Sequence, residues 1–373
     1  MSATYLLDGV SRASPNSSVL PHDATSPPST PGNGVRGGRA GGGHSDAVWA
    51  TRWCNTVRGD QVVVTASADH SLKLWNPASP ANPTKTIRPA KSLGIVGLDV
   101  DKSDGSSSYF VSNSIDSVVS RFDFDGTLQG RKQLGPAESW GLSLNPRQPV
   151  MATAGNEAKV KILSASTEDF GLELATLEAS GSFGSAVRYS NGGNLLAVAS
   201  ETGYVTLFDS ETGALVSTFP AHTAPIRSVT FTSSLLITVS DDKRVNVFDL
   251  RALTNGGASG GAGGGGGRRG QVASLGGHEG WVVSVEARNE RLLASGSADG
   301  TIKLFDLSAP STALSTLRDH SGDVWSLAWA PESSAAAASA VEGLGGASAG
   351  LGGGRLVSAG EDGALRWWRG GGS

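Results

Sequence analysis

Cysteine and long apolar runs are scarce in this 373-residue sequence. Its one cysteine, Cys54, excludes a disulfide within the chain, and its six histidines have no cysteine companions at the spacings of common zinc sites. No stretch approaches the ~18 uninterrupted apolar residues of a membrane-spanning helix, and the first eight residues contain no basic segment of a signal peptide. We therefore expect a soluble intracellular protein without a metal or a membrane anchor.

Positive charge is scarce as well. The chain has 30 lysines and arginines against 34 aspartates and glutamates, a formal net charge of −4. Direct binding of DNA or RNA requires a dense cationic face, so we do not expect it. Glycine is abundant, with 52 residues, but no glycine is followed by the Lys-Ser or Lys-Thr of a phosphate-binding loop. The sequence indicates no cofactor, and proteins are the expected partners.

An internal repeat organises the chain, and it is clearest at 277–307 and 221–250. Each unit has an opening histidine, an apolar/polar alternation, a serine-rich apolar run, a turn aspartate and a last alternating strand. Such alternation is typical of half-buried strands joined by hairpins. Seven units align at the end of that last strand, at Trp75, Phe122, Leu163, Phe208, Phe248, Phe305 and Trp368. The period predicts an all-β fold, a seven-bladed WD-repeat β-propeller.

The last unit is incomplete, because five residues remain after Trp368 and cannot form its fourth strand. The strand-like segment at about residues 4–8 has no place in another unit. We predict that it pairs with residues 363–368 and closes the ring. The predicted organisation is a ring-closing strand at 1–10, a low-complexity linker at 11–43, a propeller at 44–369 with glycine- and alanine-rich insertions at 251–270 and 332–354, and a tail at 370–373.

The repeated histidine, serine and aspartate allow two interpretations. His278, Asp299 and either Ser295 or Ser297 would suit a hydrolase triad. However, His44 with Ser67, and His222 with Ser240, restate the set in other units, whereas catalysis needs one site. In WD-repeat propellers such residues join a tryptophan in a buried hydrogen-bonded network. We therefore predict a protein that is not an enzyme, with structural networks built on His44, Asp69, Trp75, His222, Asp242, His278, Asp299, His320 and Asp362.

Two details follow from this alignment. We expect only the first unit to supply the tryptophan of the network, at Trp75, because phenylalanine replaces it in others. Units two to four lack the opening histidine, so we expect them to depend more on apolar packing.

Aromatic residues recur where each unit enters its first strand, around the predicted mouth of the central channel. Tryptophan and arginine are the residue types enriched at interface hot spots. The alternative is that each ring is ordinary filler between blades, and collective exposure would decide between the two. The candidate protein-binding residues are Trp49, Trp140, Phe183, Arg227, Trp281, Asp323 and Trp325.

Several segments resemble one family, the WD-repeat subunit of the superkiller complex and its meiotic-recombination counterparts. They are HSDAVWATRW at 44–53, ESWGLSLNP at 138–146, GSFGSAVRYSNGGNLLAVASETGYVTLFD at 181–209, AHTAPIRSVTF at 221–231 and DHSGDVWSLAW at 319–329. The resemblance implies a cytoplasmic scaffold, a monomeric propeller that joins a tetratricopeptide-repeat protein to a DExH RNA helicase. That assembly feeds mRNA to the exosome for 3′-to-5′ decay.

The same resemblance leaves a nuclear role open. Members of the family act in meiotic double-strand-break formation beside a topoisomerase-like protein, and the animal orthologue is shared with the polymerase-associated factor complex. A substrate receptor for a ubiquitin ligase is a further alternative, although no recruiting domain or helix is visible. The sequence does not separate these partners.

Overall fold

The computed structural model describes residues 4–11, 43–90, 92–102, 105–254, 269–310, 312–331 and 354–371. These residues form seven four-stranded antiparallel sheets. The innermost strand of each sheet contacts the innermost strands of the two neighbouring sheets, and the last sheet contacts the first. The sheets are therefore the seven blades of a closed β-propeller, as the period predicts.

The first strand along the chain, β1 (Thr4–Ser11), belongs to blade 7. Blade 1 contains β2 (Val48–Asn55), β3 (Gln61–Ser67), β4 (Leu72–Trp75) and β5 (Pro83–Ile87). Blade 2 contains β6 (Ile95–Val100), β7 (Tyr109–Ser114), β8 (Val118–Asp123) and β9 (Leu128–Gln133). Blade 3 contains β10 (Gly141–Leu144), β11 (Val150–Ala154), β12 (Lys159–Ser164) and β13 (Glu173–Glu178).

Blade 4 contains β14 (Gly184–Tyr189), β15 (Leu195–Ser200), β16 (Tyr204–Asp209) and β17 (Leu215–Pro220). Blade 5 contains β18 (Ile226–Phe231), β19 (Leu235–Ser240), β20 (Val245–Asp249), the helix α1 (Leu250–Thr254) and β21 (Gln271–Leu275). Blade 6 contains β22 (Val282–Ala287), β23 (Leu292–Ser297), β24 (Thr301–Asp306) and β25 (Ser315–Arg318). Blade 7 contains β26 (Ser326–Trp329), β27 (Arg355–Ala359), β28 (Leu365–Gly371) and β1.

Burial falls from the channel outwards. The second strands β7, β15 and β23 are buried at every position, because each blade is packed between two others. The outer strands β9 and β13 are almost entirely exposed. Apolar side chains form seven clusters, and each cluster lies at one of the seven interfaces between neighbouring blades. The core is therefore a ring of interfaces, and no blade buries its faces alone.

The ring is closed by the strand that the sequence predicted. β1 pairs antiparallel with β28 from Thr4 opposite Gly371 to Ser11 opposite Leu365, with a bulge between Leu7 and Gly9. The closing strand is thus longer than residues 4–8, and its partner extends beyond 363–368 into the predicted tail. An antiparallel ladder continues as long as backbone groups find partners, which apolar patterning alone does not indicate.

The predicted insertions lie largely outside the described residues, in the gaps 12–42, 255–268 and 332–353. The predicted insertion at 251–270 begins inside an element of the fold, because its first four residues belong to α1. Leu250 and Leu253 of this helix are buried in the cluster between blades 4 and 5. Residues three apart share one helix face, so a single turn buries both leucines. No helix in the described ranges is long and apolar enough to cross a membrane.

Deletion of residues 1–11 should remove the outer strand of blade 7 and open the ring. We expect the thermal midpoint to fall by more than about 5 °C, since several kcal/mol of pairing and packing are lost. A chain that lacks only residues 1–3, which precede β1, is the matched control and should melt like the parent. An unchanged midpoint for the longer deletion, measured by differential scanning calorimetry, would contradict closure through β1.

Candidate protein-interaction surface

The innermost strands all begin on one face of the ring, here called the rim face. The ladder between β2 and β3 shifts register between Val48 and Ala50, which leaves Trp49 at a β-bulge. The ladder between β18 and β19 shifts in the same way around Arg227. Equivalent shifts occur at the start of β6, β14 and β22. A bulge re-aims a side chain out of the ladder, and Trp49 and Arg227 accordingly line the channel, whose cavity volume is about 370 Å³.

The seven predicted binding residues, here called the channel rim, all lie at or just before these strand starts: Trp49, Trp140, Phe183, Arg227, Trp281, Asp323 and Trp325. Trp140 is 45% exposed and Trp281 is 50% exposed, which is more than expected for filler between blades. The rings of Trp140 and Phe183 meet edge to face with their centroids 6.0 Å apart, so the aromatic surface is continuous from blade 3 to blade 4.

Two apolar residues of blade 2 extend this surface and were missed by sequence reasoning. Leu93 is 51% exposed and Ile115 is 44% exposed, and both lie in connections on the rim face. A Cβ at Gly94 would lie 2.9 Å from the Trp49 ring and 3.4 Å from Ile115 Cδ1, so the side chains of Trp49 and Ile115 flank Gly94. The predicted rim residues lie on either side of the first buried aliphatic residue of each repeat. Neither Leu93 nor Ile115 occupies such a position.

Blades 5 to 7 add charged groups to the exposed ring of Trp281. The guanidinium of Arg227 donates from Nε to Asp241 Oδ1 at 2.8 Å and from Nη2 to Asp241 Oδ2 at 2.7 Å. It also lies 5.7 Å from the ring of Trp281. Burial and the neighbouring charge of Glu361 raise the pKa of Asp323. The rim face therefore presents an apolar arc over blades 1 to 4 beside a sector that contains carboxylates.

The predicted networks are present as hydrogen-bonded chains inside the blades. In blade 1, Nδ1 of His44 lies 2.9 Å from Asp69 Oδ2, and Nε2 lies 2.7 Å from Thr65 Oγ1. Trp75 Nε1 donates to the same hydroxyl at 3.0 Å. Because a carboxylate only accepts, Nδ1 carries the proton and Nε2 accepts from Thr65, which requires a neutral imidazole.

Three other blades repeat this arrangement, with the hydroxyl as the third group: His222 with Asp242 and Thr238, His278 with Asp299 and Ser295, and His320 with Asp362 and Ser358. The serines that the sequence suggested in blades 1 and 5 have another role. Ser67 and Ser240 end their strands, and their hydroxyls accept from the backbone N–H of Asp69 and Asp242. The side chains of the four histidines are at most 1% exposed, which leaves no access for a substrate.

The expectation that only Trp75 supplies an indole donor was wrong. Trp368 Nε1 donates to Ser358 Oγ at 2.8 Å, so blade 7 has the same series of hydrogen-bonded groups as blade 1. Blade 7 also contains the fully buried Arg366, whose guanidinium bonds Asp319 and lies 2.8 Å from Asp362. The insertion between β26 and β27 separates His320 widely from Trp368 in sequence, which obscured the match.

Blade 4 replaces the missing network with a different carboxylate. Glu201 accepts from the backbone N–H of Ser182 at 2.9 Å and of Phe183 at 2.8 Å. The aspartates of the histidine-containing blades accept from the equivalent loops, as Asp242 does from Thr223. Glu201 therefore holds the loop that carries Phe183, a role that was not predicted from the sequence.

Ion pairs below the rim connect the blades that lack histidine networks. Asp99 of blade 2 accepts from Arg52 Nε of blade 1 at 3.0 Å and from the backbone N–H of Leu144 in blade 3 at 2.9 Å. Arg188 of blade 4 lies 3.8 Å from Asp99 and reaches Glu286 of blade 6 at 3.4 Å. Burial acts to raise the pKa of Asp99, but Arg188 and Arg52 bring it below its ordinary value. The described residues contain no group of three or more potential metal ligands.

The repeated blades and their histidine–aspartate networks define a class, the WD40-repeat β-propellers, and the chain belongs to it. A family model described as "WD domain, G-beta repeat" matches residues 40–76, 269–306 and 311–369. A second, "Anaphase-promoting complex subunit 4 WD40 domain", matches residues 175–234. The first set covers blades 1, 6 and 7, where the networks are complete or nearly so.

Individual relatives can also be named. The chain is 27% identical over 212 residues to "WD repeat-containing protein SL1-17" of Schistosoma mansoni, which covers 56% of this chain and 68% of that protein. It is 29% identical over 206 residues to "WD repeat-containing protein VIP3" of Arabidopsis thaliana, which covers 50% and 61% respectively. It is 27% identical over 123 residues to "Meiotic recombination protein rec14" of Schizosaccharomyces pombe, which covers 32% and 40%.

The histidine networks should make stability depend on pH. Burial lowers the pKa of His44, His278 and His320 despite the opposing effect of their aspartates. Below about pH 6.5 the unfolded chain therefore binds protons that the folded chain does not, and the free energy of unfolding falls as the pH falls. We expect the thermal midpoint to drop between about pH 7.5 and pH 5. His278→Gln should reduce this dependence, whereas replacement of the exposed His70 should not; equal pH profiles for all three proteins would contradict the assignment.

Substitution of Asp99 should lower the free energy of unfolding more than substitution of most other channel residues. Asp99→Ala leaves Arg52 and Arg188 without their shared carboxylate, and loss of one partner of a buried pair costs about 3–5 kcal/mol. The matched control is Asp125→Ala, which breaks the exposed pair with Arg58 and should destabilise the protein far less, because water screens such a pair. Urea denaturation measures the change in the free energy of unfolding for each variant. Equal changes would show that the channel pairs do not connect the blades.

Proposed function

We propose that this chain is a non-catalytic scaffold that binds segments of partner proteins on its channel rim, as a subunit of a superkiller-type complex in cytoplasmic mRNA decay. One observation carries the first part, the partly exposed apolar arc formed by Trp49, Leu93, Ile115, Trp140 and Phe183 on the rim face. Contiguous exposed apolar surface on a folded protein usually marks an interaction site.

The arc is rigid before any partner arrives. Trp140 N–H donates to Ala154 O at 2.8 Å, and Phe183 N–H is held by Glu201. A surface fixed by its own backbone loses little conformational entropy on binding, so more of the contact energy appears as affinity. The same rigidity suits a subunit that presents one fixed geometry to a complex.

The chemistry of the partner follows from the two halves of the rim face. Apolar side chains suit the arc of blades 1 to 4, and a basic group suits the carboxylates of Asp323 and Glu361 beside it. Complementary charge at such a site mainly sets orientation and specificity. We therefore infer a partner segment that combines a large apolar side chain with a nearby arginine or lysine.

The choice of complex is supported by the family resemblance of the segments around the rim. In that case the partners are the tetratricopeptide-repeat protein and the DExH RNA helicase, and the protein acts in the cytoplasm without contacting nucleic acid itself. The similarity to "Meiotic recombination protein rec14" favours a second candidate, a nuclear scaffold in meiotic double-strand-break formation beside a topoisomerase-like protein. Both candidates use the same rim.

Affinity purification with mass spectrometry tests the rim and the complex together. The double variant Trp140→Ala, Trp281→Ala removes two exposed rings, and we expect partner recovery to fall at least about tenfold because hot-spot truncations cost ~2 kcal/mol or more. Leu174→Ala, at an equally exposed position on outer strand β13, is the control and should retain every partner. Recovery of the helicase and tetratricopeptide subunits with the parent protein supports the superkiller assignment, and nuclear partners in their place support the second candidate. An unchanged partner set with the double variant would refute binding at the rim.

A further inference from the structure

The channel below the rim contains a layer of charged side chains. Arg52, Asp99, Arg188 and Glu286 are each the fifth residue of an innermost strand, in β2, β6, β14 and β22. At ~3.3 Å per residue, this layer lies about 10 Å below the bulged second residues of those strands. Three of the four, Arg52, Arg188 and Glu286, line the channel cavity of about 370 Å³. They therefore form the floor of that cavity.

The wall between the rim and the floor is aliphatic. Trp49, Trp140 and Arg227 line the upper part of the cavity, at the rim. Below them, six blades each contribute one branched apolar residue: Leu98, Leu142, Val187, Val229, Val285 and Leu327. Cavities that bind small molecules are mostly apolar, hold a few polar groups at defined places and have volumes of ~300–1,000 Å³. The channel cavity has this form, with its charged groups at one end.

Arg188 has unused hydrogen-bond donors on this floor. Its side chain is only 9% exposed, and a guanidinium carries five N–H groups. In the described part of the chain it makes one hydrogen bond, from Nη2 to Glu286 Oε1 at 3.4 Å. Its Nη1 lies 3.8 Å from Asp99 Oδ1, which is beyond hydrogen-bond distance. The protein does not seal the other nitrogen atoms, so their N–H groups are accessible from the cavity that Arg188 lines.

The charges around the floor favour a bound anion. Arg52 Nε and Arg188 Nη1 both face Asp99 Oδ1, at 3.0 Å and 3.8 Å, so the two guanidinium groups are neighbours. Lys102, which follows β6, adds a third base to the two acids Asp99 and Glu286, and full ionisation leaves one positive charge uncompensated. Burial and Arg188 lower the pKa of Lys102, as expected of a cation without sufficient counter-charge. One negative charge on a ligand would restore the balance.

A carboxylate fits these groups, because it carries one negative charge and its two oxygens accept from guanidinium N–H groups in charge-assisted bonds. We propose that the channel cavity binds a small organic acid, with its carboxylate beside Arg188 and Arg52 and its apolar body between the aliphatic walls. The aliphatic residues separate the floor from the rim, which favours a free acid over an acidic side chain of a partner. The site goes beyond the proposed function, because it binds a small molecule and requires no partner protein.

Two-dimensional NMR of the full chain, isotopically labelled at the tryptophan indole nitrogens, tests this site. On titration with hydrocinnamate, which joins a phenyl ring to one carboxylate, we expect saturable shifts of the signals of Trp49 and Trp140. These signals are assigned by their loss in the phenylalanine variants. The signal of Trp281, which lies on the rim but does not line the cavity, should stay in place. The neutral isostere hydrocinnamamide is the matched control ligand and should bind at least about tenfold more weakly, because it makes no charge-assisted bond.

Arg188→Met tests the floor itself. It keeps an apolar stem but loses the guanidinium, and it should bind hydrocinnamate at least about tenfold more weakly. Arg58→Met removes an exposed arginine paired with Asp125 and should keep the affinity of the parent. If the Arg188 variant does not fold, the two ligands compared on the parent protein decide the question.

Three results would overturn the proposal: hydrocinnamate shifts neither Trp49 nor Trp140, hydrocinnamamide binds as tightly as the acid, or a folded Arg188→Met protein keeps the parent affinity. None of them bears on docking at the rim, which partner recovery tests separately.

Discussion

Each blade has two apolar faces and can bury them only against two neighbours, so every part of this structure depends on closure of the ring. An open array would leave one face of blade 1 and one of blade 7 in water and expose unpaired strand edges. Pairing of β1 with β28 prevents this, because it completes blade 7 and brings it against blade 1. The rim needs all seven strand starts around one channel.

Two kinds of polar connection reinforce the apolar interfaces, and they are distributed unevenly around the ring. Blades 1, 5, 6 and 7 contain the buried chain from histidine to aspartate and hydroxyl, which ties each entrance loop to its own sheet. Blades 2 to 4 lack it, and Asp99 and Arg188 connect them through the channel instead. The exposed apolar arc lies mainly over these blades. Loss of the standard network and exposure of apolar side chains thus coincide in one sector.

The number of blades and the identity of the closing strand could be predicted from the sequence because both depend on local signals, the alternation of apolar residues and the turn aspartates. The hydrogen-bond partners of individual side chains were harder to predict from the sequence. Thr65 and not Ser67 meets His44, and Trp368 joins a network across a long insertion, because both depend on where the strand ends fall in space. Ile115 joins the rim because the fold brings it and Trp49 together around Gly94.

The central claim is that the rim face of a preformed ring carries the function. Hydrogen exchange of the protein within its native complex, compared with the free protein, tests it most directly because exchange reports burial of individual backbone segments. The account predicts new protection in the rim connections, at residues 92–95, 138–141 and 181–184, with no change in the exposed outer strands β9 and β13. Protection confined to those outer strands, with unchanged exchange at the rim connections, would contradict it.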